Sequence, residues 1–179
     1  LADAVIEHFS DEDNGGFYFT AHDHEGLIHR PKPTNDDALP PGNGVIARAL
    51  LELGHLFGET RYIDAAEATL GWARSAMERV PEGHCSLLSA LEDLTHAPDT
   101  VIVRGPEELI EPWRRVAAAG YKPWRSVYAI PYEGVSTVPS YLPRLVSAET
   151  QMKPTAFICR ALSCSLPIET LEAFEDALG

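Results

Sequence analysis

Two kinds of hydrophobic pattern divide the chain. In its first part, apolar residues recur every three or four positions, which is the spacing of a helix with one buried face. This spacing predicts helices over residues 1–9, 44–57, 61–79 and 84–95. Asn43 is expected to cap the second helix, and Gly58 to end it, because glycine adopts the left-handed conformation at little cost.

The pattern changes near residue 98. The runs "TVIVRG" and "RSVYAIP" are typical of short buried strands, and "PEELIEPWRRVAAAG" between them has helical spacing. Strand, helix and strand in this order predict a βαβ unit with parallel strands. "TAFICR" is predicted to be a third strand and "PIETLEAFEDALG" a closing helix. We therefore expect a helical part over residues 1–97 and a small α/β part over residues 98–179.

Residues 15–43 fit neither pattern and are expected to form a strand and loop insertion between helices. The run "FYFTAHD" alternates as a short strand does, which would place Tyr18, His22 and His24 on one face. Several prolines follow and exclude a helix before residue 42.

Composition limits the classes of partner. With 14 basic and 27 acidic residues the net charge is −13, which argues against nucleic acid and against an anionic membrane surface. No apolar run approaches the ~18 residues of a membrane span. Three cysteines are too few for a secreted disulfide framework, so a cytoplasmic setting is expected. The chain opens without Met, in what reads as the end of a helix, and this suggests a piece of a longer protein.

The insertion also carries the main candidate chemistry. Arg30 and Lys32 precede Asp36 and Asp37, a layout that could set a carboxylate base beside a cationic electrophile. The alternative is a surface ion-pair loop that contributes little to stability.

His22 and His24 could likewise share a metal ion, but a third ligand with suitable spacing is missing. A solvated polar face explains the two histidines better, and no metal is predicted. The turn "RGPEE" lacks the glycine pattern of a nucleotide site and opens its helix with two acids, so no cofactor is predicted either.

Cys159 and Cys164 are separated by four intervening residues in "CRALSC". If the strand ends at Cys159 and the chain turns, the two sulfurs could come within bonding distance, which would suit a redox role. Alternatively, both are small buried residues, since free cysteine is among the most buried residue types.

The glycine–aromatic run at residue 15, the "RPK" triplet, the "GN" helix start and the two late cysteines occur together in one known family. In these motifs the chain resembles, over essentially its whole length, the C-terminal part of the thioredoxin-domain proteins related to bacterial YyaL and spermatogenesis-associated protein 20. The resemblance implies a mainly α fold: the C-terminal portion of an (α/α)6 toroid, six-hairpin-like and similar to the sugar 2-epimerases, with a small appended α/β element.

The resemblance also implies that the chain needs partners, and the chain differs from the family pattern at two positions. The chain would need the rest of its parent, an N-terminal thioredoxin-like domain and the first half of the toroid, or a second copy, to cover its inner apolar faces. Family members usually carry serines around the "GN" pair, where this chain has Pro41 and Gly44.

Three functions follow as hypotheses. In the first, the toroid cavity binds or isomerises a carbohydrate-like small molecule. The catalytic candidates are then Asp36, Asp37 and His24, and the ligand-binding candidates are Tyr18, His22, Arg30, Lys32 and Asn43. In the second, Cys159 and Cys164 exchange with the parent's thioredoxin domain. In the third, the domain is a non-catalytic protein-interaction scaffold.

Overall fold

The computed structural model describes most of the chain, namely residues 1–25, 29–96, 98–133 and 153–179. Within these ranges the protein forms six α-helices and a four-stranded mixed sheet. None of the helices described there is long and apolar enough to cross a membrane.

The chain divides into two compact units. The first comprises Leu1–Gly54 and Gly58–His96, and the second comprises His55–Phe57 and Ala97–Gly179. Residue 97, the boundary predicted from the sequence, lies outside the described residues.

Helices supply most of the first unit. They are α1 (Ala2–Phe9), α2 (Gly42–Phe57), α3 (Thr60–Arg79) and α4 (Cys85–Thr95), and a short 3-10 turn at Pro81–Gly83 precedes α4. These bounds confirm the four helices that the hydrophobic spacing predicts. Gly58 ends α2 as expected, with φ of 74° and its N–H donating to the Gly54 carbonyl.

The core of the first unit combines large apolar side chains with alanines, which let helices approach closely. Its buried members in α2, α3 and α4 are Ala47, Leu50, Leu51, Tyr62, Ala66, Leu70, Ala73, Met77, Leu87 and Ala90. Gly44 marks one close approach, because a Cβ added there would lie 2.5 Å from the Ser86 hydroxyl and 3.1 Å from its carbonyl carbon.

The prediction of a strand over "FYFTAHD" is wrong. Phe17 contributes only an isolated bridge, and the residues after it turn and bend. Tyr18 and His22 donate their backbone N–H groups to carbonyls in the last turn of α1, and Phe19 donates to Pro31. Because these acceptors do not belong to a neighbouring strand, no ladder forms, and alternation alone does not make a strand.

The second unit contains the sheet. Its strands are β1 (Asp99–Gly105), β2 (Arg125–Pro131), β3 (Thr155–Arg160) and β4 (Ser163–Cys164), and its helices are α5 (Glu107–Ala117) and α6 (Leu171–Leu178). The strand order is β2-β1-β3-β4. β1 and β2 are parallel and joined by α5, which confirms the predicted βαβ unit. β3 pairs antiparallel with β1, and the two-residue β4, which no sequence pattern predicts, pairs antiparallel with β3.

Strand β1 is buried on both faces. Val101 and Val103 pack in a cluster with Trp113 and Phe174, whose rings stack with centroids 5.2 Å apart. Ile102 belongs to a separate apolar cluster. Burial of both faces explains why this strand reads as a continuous apolar run rather than an alternating one.

The close approach at Gly44 can be tested. We expect Gly44→Ala to lower the free energy of unfolding by about 1–3 kcal/mol, because added atoms in a packed contact force neighbouring groups to move. Gly42→Ala in the same helix is the control, since nothing lies within 4 Å of a Cβ there. Alanine should leave stability unchanged at position 42 or raise it slightly. Urea unfolding followed by circular dichroism measures both, and equal effects would contradict the packing argument.

Candidate functional site

An ion pair between Asp11 and Lys32 is the centre of a polar cluster in the first unit. Lys32 Nζ lies 2.6 Å from Asp11 Oδ2, and the two side chains are only 12% and 7% exposed. Nζ also donates to the Gly15 carbonyl at 2.9 Å, and the Tyr18 hydroxyl donates to Asp11 Oδ2 at 2.9 Å. The buried charges are therefore both paired and hydrogen-bonded, which such charges require.

Aromatic rings flank the cations of this cluster. Lys32 Nζ lies 4.4 Å from the ring centroid of Trp72 and 5.3 Å from that of Tyr18. The Arg30 guanidinium lies 4.1 Å from the Tyr18 centroid, within the range of a cation–π contact. Arg30 Nη2 donates to the Thr20 carbonyl at 2.7 Å. Its Nε is buried and has no hydrogen-bond partner in the described part of the chain.

Two glycines bring the insertion against α3. Gly15 and Gly16 have φ of +78° and +79°, a conformation that favours glycine. A Cβ would lie 2.5 Å from the Ala68 carbonyl oxygen at the first position and 2.6 Å from the Trp72 ring at the second. Glycine is needed at both positions, for its backbone conformation and for its lack of a side chain. The "GG" pair thereby positions the cluster against α3.

The cluster forms one wall of an open groove of about 890 Å³. The groove is lined by Asp11, Asn14, Tyr18, His29, Arg30, Pro31, Lys32, Pro33 and Trp72. Aromatic faces, two cations and an amide thus meet on one concave surface. Such a surface can pack against a ring while a few polar groups fix its orientation.

Two groups of the cluster, Asp11 and Tyr18, have pKa values shifted away from the neutral range. The hydrogen bond from Lys32 holds the pKa of Asp11 well below its usual range, assisted by those from Tyr18 and Asn14. The Asp11 carboxylate in turn raises the pKa of the Tyr18 hydroxyl. Asp11 is therefore a fixed negative charge at neutral pH rather than a group that exchanges protons.

The groove contains some of the residues predicted from the sequence. Tyr18, Arg30 and Lys32 meet there, as that hypothesis requires. Asp11 and Trp72 were not predicted. Asp11 is one of three acids that precede the glycine pair in "SDEDNGG", and the sequence does not single it out from the other two. Trp72 carries no signal that separates it from a core residue.

Asn43 does not cap α2, which corrects that prediction. Pro41 occupies the cap position and Asn43 lies inside the first turn. Its side chain accepts from the Phe17 N–H at 2.7 Å and donates to the carbonyls of Phe17 and Pro33 at 2.9 and 3.0 Å. Both amide hydrogens are thereby used to hold the insertion onto α2.

The two predicted catalytic aspartates have other contacts. Asp36 accepts hydrogen bonds from the backbone N–H and the hydroxyl of Ser86, at the start of α4. The Ser86 hydroxyl is the main cause of the lowered pKa of Asp36. Asp37 is exposed and accepts from the Ala38 N–H at 2.8 Å. Neither belongs to the lining of the groove, and their catalytic role stays a prediction.

The two predicted histidines lie at the surface. His22 is exposed and its ring stacks on that of His8, with centroids 5.2 Å apart. His24 is exposed in a turn, where its N–H donates to the Ala21 carbonyl. Their predicted placement on one strand face with Tyr18 is wrong because that strand does not form. Over the described ranges, His, Cys, Asp and Glu side chains form no group of three or more that could hold a metal ion.

The second unit contains the other predicted pair. Cys159 and Cys164 form a disulfide between β3 and β4. Cys159 is fully buried and Cys164 is exposed. The third cysteine, Cys85, is a free and exposed thiol.

No family model matches the chain, and none of the curated proteins is significantly similar to it.

The contribution of the buried ion pair to stability can be measured. We expect Lys32→Met to lower the free energy of unfolding by about 3–5 kcal/mol, because it leaves the Asp11 carboxylate buried without its cation. Arg48→Met is the control: its partner Asp93 lies 2.8 Å away, but the Arg48 side chain is 57% exposed. Loss of that exposed pair should cost less than about 1 kcal/mol. Equal losses in urea unfolding would contradict a structural role for Lys32.

A second prediction concerns how the stability contributed by Asp11 changes as the pH is lowered. Because the folded-state pKa of Asp11 is depressed, its contribution to stability is fully present above the unfolded pKa, about 3.9, and is lost as the pH falls toward the folded value. Asp11→Asn should therefore be less stable than the parent at pH 7, and the difference should shrink as the pH falls below about 4. Denaturant unfolding of both proteins from pH 7 to pH 3 measures this difference. A constant difference over that range would contradict the assignment.

Proposed function

We propose that the groove beside the Asp11–Lys32 pair binds a carbohydrate-like polar small molecule. The observation that carries this proposal is the meeting of two aromatic side chains, Trp72 and Tyr18, with the guanidinium of Arg30 in the lining of one open groove. The aromatic side chains contribute apolar surface to the groove, and the guanidinium contributes donors in a fixed plane.

Arg30 is the group best placed to recognise the ligand. Its bond to the Thr20 carbonyl and its contact with the Tyr18 ring fix the side chain, so binding would cost little further rotamer freedom. Asp11 and Lys32 neutralise each other, which leaves the positive charge of Arg30 uncompensated by them. We therefore infer a preference for a ligand that carries a carboxylate as well as hydroxyl groups, such as a sugar acid.

Binding is better supported than catalysis. Asp11 has a depressed pKa and Tyr18 a raised one, so neither suits proton transfer near neutral pH. Isomerisation of the ligand through Asp36, Asp37 or His24 would need these groups to reach it, and none of the three lines the groove.

We propose further that the chain is the C-terminal portion of an (α/α)6 toroid in a thioredoxin-domain protein. The order of the glycine pair, the "RPK" triplet and the "GN" helix start supports this, together with four helices in the first unit. The rest of the parent chain is then the partner that completes the toroid.

Calorimetry with glucuronate, and with glucose as the uncharged comparison, tests the ligand class. We expect glucuronate to bind with a Kd below about 1 mM and glucose to bind more weakly. Arg30→Gln should weaken glucuronate binding by about tenfold or more, since a charged hydrogen bond is lost.

The control is Arg48→Gln, which removes an exposed arginine of the same unit outside the groove lining. It should bind glucuronate as the parent does, and thermal unfolding checks that both variants are folded. No heat with either sugar would contradict the ligand class. Equal binding by both variants would contradict the role of Arg30.

A further inference from the structure

We propose that the Cys159–Cys164 disulfide is a thiol–disulfide exchange site, at which a protein dithiol attacks Cys164 and Cys159 is the leaving sulfur. The site lies wholly in the second unit and is independent of the ligand proposed for the groove.

The strand register places the two cysteines directly opposite each other. Cys159 in β3 pairs with Cys164 in β4, and their Cα atoms are 3.9 Å apart. The next pair along the hairpin, Ile158 and Ser165, is joined by a backbone hydrogen bond of 2.9 Å from the Ser165 N–H to the Ile158 carbonyl. Because hydrogen-bonded and non-hydrogen-bonded pairs alternate, the cysteines occupy a non-hydrogen-bonded pair, where facing side chains come closest.

The two sulfurs differ in access. Cys159 is 0% exposed and belongs to an apolar cluster with Leu56 and Ile102. Cys164 lies in an exposed two-residue strand. A thiolate from outside therefore reaches the disulfide through Cys164. Attack at one sulfur of a disulfide expels the other, so this difference in burial assigns a distinct role to each cysteine.

The hairpin has other contacts that hold it when the disulfide is open. The Ile158 N–H donates to the Ser165 hydroxyl at 3.1 Å, in addition to the backbone bond between these residues. Ala156 and Ile168 exchange both backbone N–H···O bonds, at 2.8 and 2.9 Å. The disulfide thus joins neighbours that are already paired, across a sequence separation of 5 residues. A bond of this kind can open and close while the hairpin remains in place.

The exchange balances in two steps. A thiolate of the partner forms a bond to Cys164 Sγ, the Cys159–Cys164 bond breaks, and its electron pair goes to Cys159 Sγ, which takes a proton. The second thiol of the same partner then loses its proton and attacks the partner's own sulfur in the mixed disulfide, which releases Cys164 as a thiolate that is protonated. The partner is oxidised to a disulfide, and the cysteine pair gains two electrons and two protons.

A dithiol is required because the leaving sulfur is buried. Apolar surroundings disfavour a charged thiolate at Cys159 and make it a poor leaving group, so the equilibrium of the first step favours the intact disulfide and the step is readily reversed. A second thiol on the partner attacks the mixed disulfide and completes the reduction before the first step reverses.

The test uses the whole chain with Cys85→Ser, so that only the pair reacts. Cys159→Ser and Cys164→Ser are each added, and the remaining thiol is treated with oxidised glutathione under native conditions, with the adduct followed by mass spectrometry. We expect Cys164 to form the adduct at least about tenfold faster than Cys159. In concentrated urea the two rates should converge, because burial no longer separates them. Equal native rates, or a faster Cys159, would overturn the proposal.

A second measurement addresses reversibility. The Cys85→Ser chain is reduced with dithiothreitol, and its circular dichroism and thermal transition are compared with those of the oxidised chain. We expect the spectrum and a cooperative transition to persist, and the disulfide to return when oxidised glutathione is added. Loss of the transition on reduction would show that the bond is a structural staple and would overturn the proposal.

Discussion

The ion pair of Asp11 and Lys32 is the interaction on which the insertion of the first unit depends. Removing two charges from water is costly, and their attraction offsets that cost only with good geometry and further hydrogen bonds. Here the nitrogen and oxygen are 2.6 Å apart, and Tyr18 and Asn14 also donate to the carboxylate. Lys32 lies 21 residues from Asp11 in the sequence, so the pair ties the middle of the insertion to the segment that precedes it.

A segment that buries few large apolar groups has to be held by polar contacts in this way. Asn43 provides the second such contact, because its buried amide bonds to the backbone of both Phe17 and Pro33. Gly15 and Gly16 add the close approach to α3 that no other residue type would permit. Several side chains that line the groove therefore already have hydrogen-bond or ring contacts, and groups held in this way lose less freedom when a ligand binds.

Local periodicity predicted most elements, since six helices and three strands arise where apolar spacing repeats or runs unbroken. It failed where structure depends on distant partners. The alternation in "FYFTAHD" has no neighbouring strand to pair with, and Asn43 meets Phe17 across 26 residues instead of capping its own helix. Asp11 is one of several acids in its segment, and only the fold shows which of them meets Lys32. β4 is two residues long, too short for any pattern to reveal.

The glycine at position 44 is explained by the same contacts. By resemblance, a hydroxyl is expected at this position of the "GN" motif, yet a side chain there would collide with Ser86 of α4. The Ser86 hydroxyl lies beside that space and donates to Asp36. The Asp36 carboxylate also accepts the Ser86 N–H at the start of α4, where a negative charge is stabilised by the helix dipole. A glycine in α2 and a serine in α4 together leave Asp36 engaged in holding a helix end, which is why the recognition chemistry of this unit is better sought at Arg30.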